Sequence, residues 1–250
     1  MLRERKTGGQ GSPLRYHAGM RPPGPRGPAR RGRPLSGRAV FFTLFFAACS
    51  TFRPVRPLDP GATALGVSLG GPLLETLGTV FPTPILSVAG ARGMQTAGAM
   101  PWAVTGALDV TAGLYGNLHV EPGVVFHPIV HEAGLAPTLA VAGSLHVLAN
   151  RHDALIAPHV AAAASWRPDT AFVVYTGADA AMAIAAPARL IAGPLGGIEW
   201  VRTRWRYGLE LKWLAPYHDV EPAAPTWIAP FHHGYFTVLL GASYQLGGAR

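Results

Sequence analysis

The sequence predicts an all-β fold: an antiparallel up-and-down transmembrane β-barrel of about ten strands, within bounds of roughly eight to twelve. Three observations carry this prediction. Apolar residues alternate with small or polar ones at a period of two through most of residues 62–246. Turn sequences such as "NRHD" at 150–153 and "RPDT" at 167–170 interrupt the alternation. Aromatic residues stand at the ends of several apolar stretches, where a strand crossing a bilayer meets the two headgroup levels.

Residues 1–48 read as a basic leader and signal peptide. Ten basic residues from Arg3 to Arg38 stand against Glu4 alone. The whole chain carries +8, so the remainder is left near neutrality, and nucleic-acid binding is excluded as a reading of the whole chain. The run "AVFFTLFFAACS" at 39–50 is too short for a membrane-spanning helix, which needs about 20 residues, and has the layout of an export signal. It ends near Cys49, the single cysteine. Phe46, Ala47, Ala48 and Cys49 resemble a lipobox, the bacterial lipoprotein signal, with Phe46 where Leu, Val or Ile is usual. That resemblance implies cleavage before Cys49 and acylation of its sulfur, and Ser50 implies sorting to the outer membrane. Two or more acyl chains anchor a protein stably. The alternative is an ordinary secretory signal with an incidental cysteine. Met20 offers a second start that keeps Arg21 to Arg38 as the basic region. With Cys49 consumed, no thiol remains for a disulfide, a thiolate metal site or a cysteine nucleophile.

Residues 49–61 read as a lipidated tether, because "STFRPVRPLDP" is Pro-rich and aperiodic. Residues 62–250 form the barrel domain. In the first strand Leu65, Val67 and Leu69 alternate with Ala64, Gly66 and Ser68. From Trp102 to Val120 one register runs through, as one strand or as a hairpin. The clearest segment is 204–215, with Trp205, Tyr207, Leu209, Leu211 and Trp213 on one face and Arg206, Glu210 and Lys212 on the other. In the last, 234–246, Phe236, Val238, Leu240 and Tyr244 oppose Tyr235, Thr237, Ser243 and Gln245. Trp102, Trp205, Tyr207, Trp213, Phe236 and Tyr244 are the expected membrane-interface aromatics. Three stretches fit the strand pattern badly. Residues 71–84 read as a turn of helix, Ala-rich 178–190 as a short helix or loop, and 221–233 as a long irregular loop.

The C-terminal third also resembles a group of uncharacterised outer-membrane barrel lipoproteins of Gram-negative bacteria. The resemblance rests on "GLELKWLAP", here Gly208–Pro216, and on a "GxSYxxG"-like final strand, here Gly241–Gly247. It implies a fold and an outer-membrane location, with outer-membrane lipids and the barrel-assembly and lipoprotein-sorting machinery as partners, but no activity. The readings that follow are a lipid-anchored barrel with a structural, adhesive or small-solute transport role, a soluble periplasm-facing β-sandwich lipoprotein that binds a ligand or partner, and a membrane-embedded hydrolase.

The histidines are the most suggestive polar residues. Parity places His119, His127, His131, His146 and His159 on the lumen-facing side with Arg206, Glu210 and Lys212. Converging imidazoles suit zinc, copper or proton transfer, yet "HPIVH" at 127–131 lacks a zincin glutamate and, on a strand, its ends lie about 13 Å apart. The expectation is therefore a wet or packed small-barrel interior with no metal and no cofactor. Glu210 with Lys212 and Arg206, and Glu199 with Arg202 or Arg204, suit a structural ion-pair ladder. There is no "GxSxG" motif, and no catalytic residue is assigned.

Overall fold

The computed structural model describes residues 53–248, apart from 77–78, 95–99, 133, 152–153, 185–188 and 220–225. Cys49 and the leader lie outside the described residues. The strands are β1 (Thr63–Thr76), β2 (Thr79–Pro82), β3 (Ile85–Met94), β4 (Trp102–Asp109), β5 (Leu118–Ile129), β6 (Gly134–Ala149), β7 (Ala154–Arg167), β8 (Phe172–Ala183), β9 (Arg189–Arg202), β10 (Trp205–Asp219), β11 (Thr226–Trp227) and β12 (His233–Leu246). Among the described residues one short α-helix, α1 (Val110–Leu114), and one 3-10 turn, Pro230–His232, interrupt them. Ten of these strands form the wall. They pair antiparallel in sequence order from β3 to β10, β10 pairs β12, and β1 pairs both β12 and β3. The sheet closes on itself as an antiparallel barrel, which removes the unpaired edges of an open sheet.

The sandwich alternative fails on this architecture, because one sheet closes instead of two packing face to face, and its apolar face points outward. On β10 the large apolar side chains Trp205, Tyr207, Leu209 and Leu211 are exposed, while Lys212, next along the strand, is only 3% exposed. A soluble protein shows the reverse, with lysine among its least buried residues. The same inversion holds on β1, where Leu65, Val67 and Leu69 are exposed and Ser68 is buried.

Both ends of the wall, the start of β1 and the end of β12, lie at one mouth, termed here the terminal mouth. Tight turns such as Thr203–Arg204 join strands there. Longer connections, including α1, lie at the opposite loop mouth. The run from Trp102 to Val120 is a hairpin, broken where Asp109 caps α1 by accepting the Ala112 N–H at 2.9 Å. Gly116 then turns the chain at φ 75°. Two of the badly fitting stretches prove to be strand: β1 runs on to Thr76 and folds back as β2, and residues 178–183 complete β8. Pairing with neighbours overrides the helix preference of alanine there.

The expected tether departs most. Residues 53–58 lie inside the barrel, not beneath it, and Asp59 and Pro60 are exposed where the segment leaves it. Val55 packs against Val173 and Tyr175, and Leu58 against Ala91 and Ala103. Room for this plug comes from the wall: Ala64 and Gly66 on β1, Ala89 and Ala91 on β3, and Ala103 and Ala107 on β4 point inward with little volume. Gly93 lets the plug backbone approach, since a Cβ there would stand 2.3 Å from the Asp59 carbonyl oxygen. The Gly61 N–H donates to Gly93 O, and the Gly93 N–H to Ala62 O, both at 2.9 Å. Burying Val55 and Leu58 stabilises the plug by about 1.5–3 kcal/mol each.

We predict that the Cys49→Ser chain, folded in detergent, migrates as a compact band on SDS gels and slows after boiling. Leu209→Arg, on the outer face, is expected to cost about 2–4 kcal/mol in a vesicle folding titration; a loss near zero would contradict an apolar environment around β10.

Candidate functional site

Period-two alternation aims one residue in two at the lumen, and register decides which of them meet. Val120 pairs Val147 and Gly123 pairs Ser144, so Glu121 on β5 lies beside His146 on β6. His159 on β7 pairs Ser144, one step along the wall. On the next strand Ala161 pairs Asp179, which brings that carboxylate diagonally to His159. Four adjacent strands thus deliver a continuous polar ladder.

The ladder begins near the loop mouth, where His119 Nδ1 stands 3.7 Å from Asp109 Oδ2. His119 Nε2 and His146 Nδ1 are 3.1 Å apart, so one of these two nitrogens donates and the other accepts. Their rings stack at 5.4 Å, and the His159 ring meets His146 edge-on at 5.1 Å. The Ser144 hydroxyl donates to Glu121 Oε1 at 2.7 Å. From the plug, Arg53 pairs with Glu121 and donates to Ser144 Oγ at 3.2 Å. On the far side His159 Nε2 stands 3.7 Å from Asp179 Oδ2, and Lys212 Nζ donates to that same oxygen at 2.9 Å. Lys212 also lies 3.4 Å from Glu210 Oε1, and the Tyr175 hydroxyl donates to Glu210 Oε2 at 2.9 Å. Gly197 makes space for that ring, because a Cβ there would fall 2.4 Å from the Tyr175 oxygen. Arg206 faces Glu199 at 3.8 Å.

His119, His127, His146, His159, Glu210 and Lys212 are therefore buried within the lumen, and Arg206 joins them from β10. His131 does not. A register shift between Phe126 and Ile129 ends the parity, and His131 lies exposed in the turn beyond β5, its Nδ1 2.9 Å from Pro137 O. Glu199 meets Arg206, across the β9–β10 pairing, in place of Arg202 or Arg204. Of the aromatics, Trp205, Tyr207 and Tyr244 cluster by the terminal mouth, where Trp205 lies 5.9 Å from Tyr207 and 5.0 Å from Tyr244, and Trp102 stacks on Phe126 at 6.2 Å on the β4–β5 side of that mouth. Trp213 and Phe236 pair across β10 and β12 toward the loop mouth, and the Trp213 Nε1–H donates to His233 O at 2.9 Å.

Sequence reasoning missed Glu121, Asp179, Ser144, Tyr175 and Arg53. Glu121 shares the parity of His119 and was available to it. Asp179 lies in the stretch that composition reads as helix or loop, and Arg53 in the segment read as tether.

Ser144, His159 and Asp179 make a Ser–His–Asp series, but not a hydrolytic one. Ser144 Oγ is 3.3 Å from His159 Nδ1, and its proton is committed to Glu121. Lys212 holds Asp179, and Arg53 covers the hydroxyl. In this arrangement the hydroxyl proton goes to Glu121 and not to His159, as general-base activation would require. Toward the terminal mouth, Arg56, Arg167, Arg204 and Arg206 line a recess of about 770 Å³ with Asp59 and Glu132. Arg56 bonds the His131 and Glu132 carbonyls, and Arg167 those of Asp169 and Thr170, so both guanidiniums find backbone oxygens there.

No protein-family model and no curated protein matches the chain. Among solved structures, an outer membrane channel from Pseudomonas putida F1 is similar at 10% identity and a TM-score of 0.47, covering 79% of this chain and 100% of that one.

Lys212→Met strips Asp179 and Glu210 of their shared cation, and is expected to destabilise the barrel by about 3–5 kcal/mol in urea unfolding from detergent. Ser144 is expected to resist labelling by a fluorophosphonate; labelling that His159→Ala abolishes would restore the hydrolase reading.

Proposed function

We propose that the chain is a lipid-anchored outer-membrane barrel that passes small solutes through a lumen held shut by its own residues 53–60. One observation carries this reading. The lumen beside β1, β3 and β4 is filled by the plug, because the wall's inward side chains there are mainly Ala, Gly and Ser. A barrel that served only as a scaffold would gain more from filling that volume with side chains fixed to its wall. The plug is held by side-chain contacts and by the Ser165 hydroxyl donating to the Val55 carbonyl at 3.2 Å, with no strand pairing to the wall among the described residues, a form of closure that a conformational change can reverse.

The outward apolar belt with aromatics toward both mouths supports a membrane setting. Acylation at Cys49 belongs to the same proposal. Arg53 is four residue steps from Cys49, a reach of at most about 14 Å, so an anchored terminus and the plug move together. The arginines of the terminal recess favour anions over cations as the solute class.

The test is planar-bilayer recording of the Cys49→Ser chain and of a variant lacking residues 53–60. The full chain is expected to be mostly silent and the deletion to open in uniform steps, with a reversal potential in a KCl gradient that marks anion preference. A deletion variant that folds to a heat-modifiable barrel yet stays silent would overturn conduction and leave a structural or adhesive role.

A further inference from the structure

We propose that Glu121, His146 and His159 form a binding site for one borderline divalent transition-metal ion, Zn²⁺ being the probe, and that Arg53 of the plug competes for it. The site stands apart from conduction, since it needs only three wall residues. Each of the three is buried, and one potential ligand atom from each lies within 4.8 Å of the others. Two imidazoles and a carboxylate are the donor set that borderline ions select. Zinc bonds of about 2.0–2.1 Å place tetrahedral ligands roughly 3.3 Å apart, so side-chain adjustments of about an ångström assemble the site.

Two further observations point to a missing ligand. His146 is 1% exposed, and its Nε2 has no hydrogen-bond partner among the described residues. A buried ring nitrogen left without a partner is costly unless something occupies the space before it. Around the three donors stand groups suited to orient them: His119 beside His146, Ser144 on Glu121, and Asp179 beside His159. An acceptor or donor behind a metal-bound imidazole fixes its ring and tautomer.

Arg53 supplies the opposing charge in the plugged state, by pairing with Glu121. A dication and a guanidinium on one carboxylate repel each other in this buried setting. Metal binding and plug seating therefore oppose each other, and each weakens the other by the same factor.

The test is equilibrium dialysis of the folded Cys49→Ser chain against Zn²⁺ with elemental analysis, and Co²⁺ absorption as a second readout. We expect one Zn²⁺ per chain, an intense tetrahedral Co²⁺ band, and a loss of about 100-fold in affinity for His146→Asn or His159→Asn. Arg53→Gln is expected to bind about tenfold or more tightly, and stoichiometric binding by that variant alone still supports the site. Absence of stoichiometric binding in both the parent chain and Arg53→Gln overturns the proposal, as does parent-like affinity in the His146→Asn/His159→Asn double variant. Heat-modifiable gel mobility verifies that each variant is folded. Zn²⁺ binding without conductance would leave this site standing while the pore reading fell.

Discussion

Charge compensation inside a closed wall is the constraint on which the rest of this structure depends. Arg53, Arg56, Arg206 and Lys212 share the interior with Asp109, Glu121, Asp179, Glu199 and Glu210. None of these groups can turn outward, because the outer face is apolar and a strand fixes each side chain's direction. Every charge must be answered within the lumen, at distances that register sets. The result is a series of shared partners: Lys212 serves two carboxylates, and Asp179 serves both Lys212 and His159. Such sharing makes the barrel interior a single cooperative unit, in which no member is replaceable without leaving another exposed to a low dielectric.

The plug follows from the same constraint. Glu121 on β5 is answered mainly by Arg53, a residue that is not part of the wall. A wall residue in that role would need a long cationic side chain on a neighbouring strand, and the inward positions beside it are Ala107 on β4 and His146 on β6. Small inward residues on β1, β3 and β4 and an uncompensated acid on β5 are complementary halves of one arrangement. Volume and charge are both supplied by residues 53–60.

Most of the wall was legible in the sequence because a period of two is a direct image of in and out. The alternation in β10 and β12 assigns Arg206, Glu210, Lys212 and Thr237 to the lumen with no knowledge of their partners. What alternation cannot report is where it stops. His131 fell out of the lumen because a register shift beyond Phe126 reset the parity, and such shifts carry no clear local signature. Pairings across strands were equally hidden: Glu199 with Arg206, or Ser144 with Glu121, depend on register, which sequence spacing alone does not supply. Residues 53–60 were unreadable for another reason. Their Pro-rich, aperiodic sequence is that of a linker, and their order comes wholly from the cavity that receives them. Ala178 to Ala183 reversed a helix preference for the same cause, since flanking strands offered hydrogen bonds that an isolated segment lacks.

The plug joins β1 directly, through Gly61 and Ala62 at the terminal mouth. β1 is also the strand that seals the sheet, meeting β12 on one side and β3 on the other. Whatever order the remaining strands dock in, the seam and the stopper arrive on the same stretch of chain. A barrel that sealed first would have to thread its own beginning through a completed ring, past side chains already locked in ion pairs. Insertion during closure avoids that passage, so closing the seam and seating the stopper favour each other.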